Sequence, residues 1–173
     1  YYGYIYFSSE KYLLAEQAYK DLMNEPDSND QERLGSLYSL AQLSYIREDY
    51  QGSIDYLLRW LDLEEDPSAD AYALLSTTYY QMEEFKKSVE NILIAIEMQE
   101  SRDIPITRPV LDEEGNETGE TVETGETKKG VAKENHYLLK MALFTELKRD
   151  LDVLPIYEIL VQHYPKKQYW TQL

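Results

Sequence analysis

The chain of 173 residues contains no cysteine. That excludes disulfides and thiolate-bound metal. Histidine is nearly as scarce: His136 and His163 are the two, and neither stands at a metal-ligand or catalytic-triad spacing. His163, ahead of Tyr164-Pro165, falls at an expected helix end, where a cation meets the helix dipole favourably. His136 reads as a surface or groove residue. Of the seven glycines, four fall between residues 101 and 133, none in the context of a phosphate-binding loop. Apolar runs are short. The longest, Ile92–Ile96, is far below the roughly 20 residues a membrane-spanning helix needs. Basic residues are outnumbered, 17 against 33 acidic, for a net charge of −16. A nucleic-acid partner is therefore not expected, because its phosphates would be repelled. Paired carboxylates such as Glu64-Glu65-Asp66 and Glu83-Glu84 follow from that acidic composition and read as solvated loop residues. No catalytic residues, cofactor or metal site are expected, and the chain does not read as an enzyme.

Tyrosine, by contrast, is abundant at 17 residues, and its amphipathic ring suits half-buried helix faces. The residue types also recur. Leu40-Ala41, Tyr50, Ser53, Leu57 and Trp60 reappear 35 positions later as Leu75-Ser76, Phe85, Ser88, Ile92 and Ala95. Tyr2-Gly3, Tyr12, Ala15, Tyr19 and Leu22 form an earlier copy. A repeat of this period signals stacked helical hairpins. The small residues Gly3, Ala41 and Ser76 on the first helix, and Ala15, Ser53 and Ser88 on the second, let two antiparallel helices approach closely. Arg47-Glu48-Asp49-Tyr50 and Met82-Glu83-Glu84-Phe85 mark the turns, with an acidic residue placed to cap the second helix and an aromatic to pack back on the pair. Each unit buries its apolar face only against neighbours.

Between Ser101 and Lys133 the helical period is lost. Ile104-Pro105-Ile106 and Val110-Leu111 read as short strand pieces, and Asp112–Asn116 as a turn. The run Glu117–Thr127 is low in complexity. The segment is expected to be a protruding arm built on a β-hairpin with a mobile tip. It is either a tolerated insertion or an element for binding a partner or a second copy through exposed strand edges.

These residues resemble the tetratricopeptide repeat family, whose first helix carries large-x-x-large-small-x-x-aromatic. Leu37–Asp66 and Tyr72–Gln99 match nearly throughout, and Tyr1–Pro26 matches from mid-helix. A further unit, about His136–Pro165, places Leu138, Met141-Ala142, Leu151 and Val161 in register but departs at Leu154 and Glu158, with Pro155 disturbing its second helix. The resemblance implies an all-α solenoid of antiparallel helix pairs with an inserted arm. The units are about 1–34, 35–68, 69–100 and 134–165, with another beginning at 166–173 and the arm at 101–133. Both ends fall inside a repeat, so the chain reads as part of a longer array. A narrower resemblance lies in Glu134-Asn135-His136-Tyr137, Leu143-Phe144-x-Glu146-Leu147-Lys148 and Tyr164-Pro165-Lys166-Lys167-x-Tyr169-Trp170. These are similar to repeat proteins encoded beside TonB–ExbB–ExbD systems of Gram-negative bacteria, which implies a periplasmic accessory of envelope transport; the cytoplasm is the alternative.

In this family the first helices line a concave groove. Counting the register places Tyr4 and Phe7, then Tyr38, Gln42 and Tyr45, then Ala73, Thr77 and Tyr80, and finally Leu139, Leu143 and Glu146 along it. The expected partner-binding residues are Tyr4, Phe7, Tyr38, Gln42, Tyr45, Thr77 and Tyr80. The expected function is a non-catalytic scaffold for a protein or peptide. Residues 1–100 carry a net charge of −13, so that partner is expected to have basic character. A carboxylate clamp is argued against, because Tyr38, Gln42, Ala73 and Thr77 stand where Lys, Asn and Arg would be needed. Two other readings remain: a self-assembling array stacked end to end through Tyr1, Tyr2, Trp170 and Leu173, and a regulatory module of a larger protein.

Overall fold

The structure, a computed structural model, describes residues 2–8, 11–112, 114 and 116–166, with the side chains of Tyr2 and Ser8 left aside. Helices pack on their neighbours in sequence: α1 (Tyr2–Ser8) with α2 (Tyr12–Asn24), α3 (Asp30–Ile46) with α4 (Tyr50–Leu63), and α5 (Ala69–Gln81) with α6 (Phe85–Glu100). A two-stranded antiparallel sheet follows, β1 (Asp103–Leu111) with β2 (Glu117–Lys129). Then come α7 (Glu134–Glu146), a 3-10 turn (Asp150–Asp152) and α8 (Leu154–His163).

Local chemistry sets the helix limits. Asn29 opens α3 with a capping box: its side chain accepts from Glu32 N at 2.9 Å, and Glu32 accepts from Asn29 N at 3.0 Å. This starts α3 at Asp30, ahead of the unit boundary read at 35. Ser68 caps α5 through Ala71 N, and Asp49 caps α4 through Gly52 N. Glu84 makes no such cap on α6 and pairs with Lys87 instead.

Three first helices end in the same way. Glu48, Glu83 and Lys148 adopt the left-handed conformation (φ 62°, 60° and 56°). The next N–H reaches back five residues in each: Asp49 to Ser44 O, Glu84 to Tyr79 O, Arg149 to Phe144 O, at 2.9, 3.0 and 2.8 Å. This is the Schellman closure, here without glycine.

The small residues lie where the repeat requires them. Ala15, Ala41, Ser53, Ser76 and Ser88 are fully buried. Ser76 and Ser88 bond across the seam of their hairpin: each hydroxyl donates to the other residue's carbonyl at 2.7 Å. A Cβ on Gly3 would stand 2.6 Å from the Tyr19 ring, so α1 and α2 touch at a position only glycine fills.

The last pair departs from its expected register. The matched turns at Glu83 and Lys148 fix the offset, and Met141, not Ala142, takes the place of Ser76. The second helix begins only at Leu154, with Pro155 in its first turn, where Pro needs no N–H partner. Leu151, counted in register with the repeat, is exposed, as are Leu154 and Glu158. Ile156 and Leu160 supply the buried face of α8.

The arm is rooted in the core. Gly130 lies so close to α6 that an added Cβ would be 2.2 Å from Gln99 O. Its N–H donates to Arg102 O at 2.8 Å. The buried Tyr137 hydroxyl donates to Glu100 Oε1 and accepts from Ala132 N, while Tyr164 donates to Ala132 O. Burial and the Glu100 bond push the Tyr137 phenol well above its usual pKa.

Candidate functional site: the groove between α3, α5 and α7

Successive first helices present their matching faces to one open cavity of about 560 Å³. From α3 come Tyr38 and Gln42; from α5 come Asp70, Ala73, Leu74 and Thr77. From the start of α7 come Lys133, Asn135, His136 and Leu139. Tyr38 and Ala73, like Gln42 and Thr77, are one 35-residue repeat apart, so the convergence follows from stacking equivalent turns. The cavity falls in the usual size range of a ligand cleft.

Its floor and rim are chemically distinct. Tyr38 is half-buried, with its ring 5.1 Å from that of Trp60. Burial, and then Asp70, raise its phenol pKa, keeping the hydroxyl a neutral donor. Thr77 donates to Ala73 O at 2.8 Å within its own helix, leaving its oxygen to accept. On the rim, Lys133 Nζ grips both Asp70 oxygens, at 2.6 and 2.7 Å. Both side chains are about half exposed, so the pair contributes at most about 1 kcal/mol. Its role is geometric, joining the foot of the arm to the first turn of α5. Lys133 N also donates to Gln99 Oε1 at 2.9 Å.

His136 is buried, and its Nδ1 has no partner. Burial lowers its pKa, Asp70 raises it and Lys133 lowers it. The imidazole is therefore neutral at pH 7, with an unmet hydrogen-bonding atom beside the groove. Nothing in this arrangement assembles a nucleophile with a base. Among the described residues no cluster of His, Asp and Glu is placed to hold a metal ion.

Of the expected partner-binding residues, Tyr38, Gln42 and Thr77 line this cavity together. Phe7, Tyr45 and Tyr80 do not. Each packs against the aromatic that opens the second helix of its own pair: Phe7 on Tyr12, Tyr45 on Tyr50 and Tyr80 on Phe85, at 6.0, 5.8 and 5.7 Å. These rings brace the hairpins. Tyr4 is exposed on α1, away from the cavity. Leu139 lines the groove as expected, but Leu143 is fully buried in the core, a consequence of the one-residue register error in α7. Glu146 is exposed and lines a separate pocket with Tyr80 and Phe85. His136, read as a surface or groove residue, lines the groove and is buried rather than on the surface. Asp70, Lys133 and Asn135 were not anticipated, because the consensus count begins after the first helical turn. Aligning α7 on its left-handed turn would have brought Asn135 opposite Asp70.

No family model matches the chain, and no curated protein matches it in sequence. Solved structures do match in fold. One crystal structure of MamA superposes with a TM-score of 0.67 at 15% identity, over 94% of this chain and 74% of that one. A second MamA structure gives 0.67 and 15%, over 95% and 70%. PilF of Pseudomonas aeruginosa gives 0.65 and 13%, over 99% of this chain and 62% of its own. MamA and PilF are tetratricopeptide repeat proteins, and the fold of this chain is of the same kind.

Proposed function

We propose that the chain is a non-catalytic scaffold that holds a segment of a protein partner in the groove between α3, α5 and α7. The observation that carries this reading is the convergence of Tyr38, Gln42, Ala73 and Thr77, at matched repeat positions, on one open cavity. Neutral amide, hydroxyl and phenol groups along such a surface suit an extended backbone, which needs donors and acceptors in alternation. The net charge of −13 over residues 1–100 favours a partner of basic character through long-range attraction. The finer assignment, a periplasmic accessory of a TonB-type system, rests on the residues of α7 and the segment after α8. Part of that segment, Lys167–Leu173, lies outside the described residues. So do Tyr1, Trp170 and Leu173, on which end-to-end stacking was expected to depend.

Affinity capture with the full-length protein tests the groove. Thr77→Arg fills the cavity from a half-buried position and leaves the hairpin seams intact. Recovery of the partner should fall at least tenfold. Undiminished recovery with Thr77→Arg and Gln42→Arg together overturns the groove reading.

A further inference from the structure

The arm has two unlike faces. Asp103 pairs with Lys129, Thr107 with Glu123, Pro109 with Thr121 and Leu111 with Glu117, so these share one side. The Lys129–Asp103 salt bridge at 2.9 Å lies on it. On the other side Ile104 stands opposite Lys128, and Arg108 opposite Val122; Ile106 and Val110 belong to the same alternation. That second face is apolar and cationic. It is also largely uncovered: every residue of β2 is exposed, and Ile104 and Val122 are 42% and 43% accessible, while Ile106 and Val110 are partly buried. A two-stranded ribbon has no core of its own, so such a face is costly to leave in water.

The solenoid carries the complementary pattern, twice. On α4, Asp55, Leu58 and Asp62 are exposed; 35 residues on, Glu90, Leu93 and Glu97 are exposed on α6. Each set places a leucine between two carboxylates, three residues after one and four before the other, so all three share one helix face. The leucines are 47% and 39% accessible. Strand addition is a poorer match for the arm. Pro105 and Pro109 have no N–H to offer, which blunts the free edge of β1.

We propose that the apolar, cationic face of the arm docks on the acidic, leucine-centred ridges of α4 and α6 of a second copy of this chain. Isoleucine and valine of the arm meet Leu58 and Leu93, while Arg108 and Lys128 meet the flanking carboxylates. Donor and acceptor surfaces differ, so the contact is head-to-tail, and a pair of copies leaves one arm and one ridge surface unused. This interface is separate from the groove on the first helices.

Sedimentation velocity on the full-length protein over a range of concentrations tests it. The protein should self-associate, less so at high salt. Arg108→Glu/Lys128→Glu and, separately, Asp62→Lys/Glu97→Lys should each weaken association about tenfold or more. Mixing the two variants should restore it, because each retains the surface the other needs in reversed charge. A monomer at every concentration overturns the proposal. So does association untouched by both variants, and so does binding of the arm to anionic phosphatidylserine vesicles without any self-association.

Discussion

Two serines at equivalent positions should respond in opposite directions to the same change. Ser88 sits in the seam of the α5–α6 hairpin and donates to Ser76 O at 2.7 Å, with the two hydroxyl oxygens 3.0 Å apart. Ser53 sits in the corresponding seam of α3 and α4, but its neighbour there is Ala41, and its buried hydroxyl has no partner. Ser88→Ala removes one buried hydrogen bond, a loss of about 1 kcal/mol. Ser53→Ala removes a hydroxyl whose desolvation costs about 1–3 kcal/mol with nothing in return, so stability should rise by about 1 kcal/mol. Helix propensity improves equally in both and cancels in the comparison. The two variants should differ by about 2 kcal/mol, or roughly 4–8 °C in Tm for a chain of this size. Urea unfolding followed by circular dichroism provides the free energies, with an unchanged m-value confirming that the unfolded reference is the same. If Ser53→Ala loses as much stability as Ser88→Ala, the account of the seams is wrong.

The foot of the arm gives a second prediction. Gly130→Ala forces a Cβ against Gln99 O and should cost about 1–3 kcal/mol, read as lowered Tm and faster proteolysis within 101–133. Tyr137→Phe leaves Ala132 N and Glu100 without their phenol partner and should cost about 1–3 kcal/mol by urea unfolding. His136 makes stability depend on pH. Its folded pKa lies below the ordinary 6.5, so as the pH falls through that value the unfolded chain takes up a proton before the folded one does. Stability should therefore drop on acidification from pH 7.5 to 5.5 more steeply in the wild type than in His136→Gln; parallel profiles would refute this.

The hairpin seams were readable in the sequence because they depend on residue size at fixed spacing. Ala41, Ser53, Ser76 and Ser88 are all buried, as the repeat requires. The arm was readable as a hairpin from the loss of helical period. Its extent was not: residues read as low-complexity form most of β2, because their order comes from bonds to the partner strand. Thr118 Oγ1 donates to Val110 O at 3.0 Å and Thr124 Oγ1 to Ile106 O at 2.9 Å. The groove was half readable. Tyr38, Gln42 and Thr77 follow from the 35-residue offset. Tyr45 and Tyr80 share a residue type at the same 35-residue offset, and Phe7 is a further aromatic, yet all three close the hairpins; type and spacing alone do not tell a brace from a contact. The register of α7 failed for a physical reason. Ala142 looked like the seam residue, but the left-handed turn at Lys148, invisible without a glycine, sets the helix one position differently.

The two strands of the arm advance at different rates. Pro105 pairs with Thr127 and Pro109 with Thr121, so four residues of β1 run beside six of β2. That excess falls at Gly125 (φ 83°); a second, between Pro109 and Leu111, falls at Gly119 (φ 84°), so each of the twin segments Glu117–Val122 and Glu123–Lys128 carries one. The reach of the ribbon is thereby quantised. A matched gain of four residues on one strand and six on the other repeats the bulged unit and keeps which side chains share a face. A gain of a single residue on either strand turns the side chains beyond it to the other side. Gene duplication within this stretch thus has a natural step, and homologous chains should differ in arm length by that step.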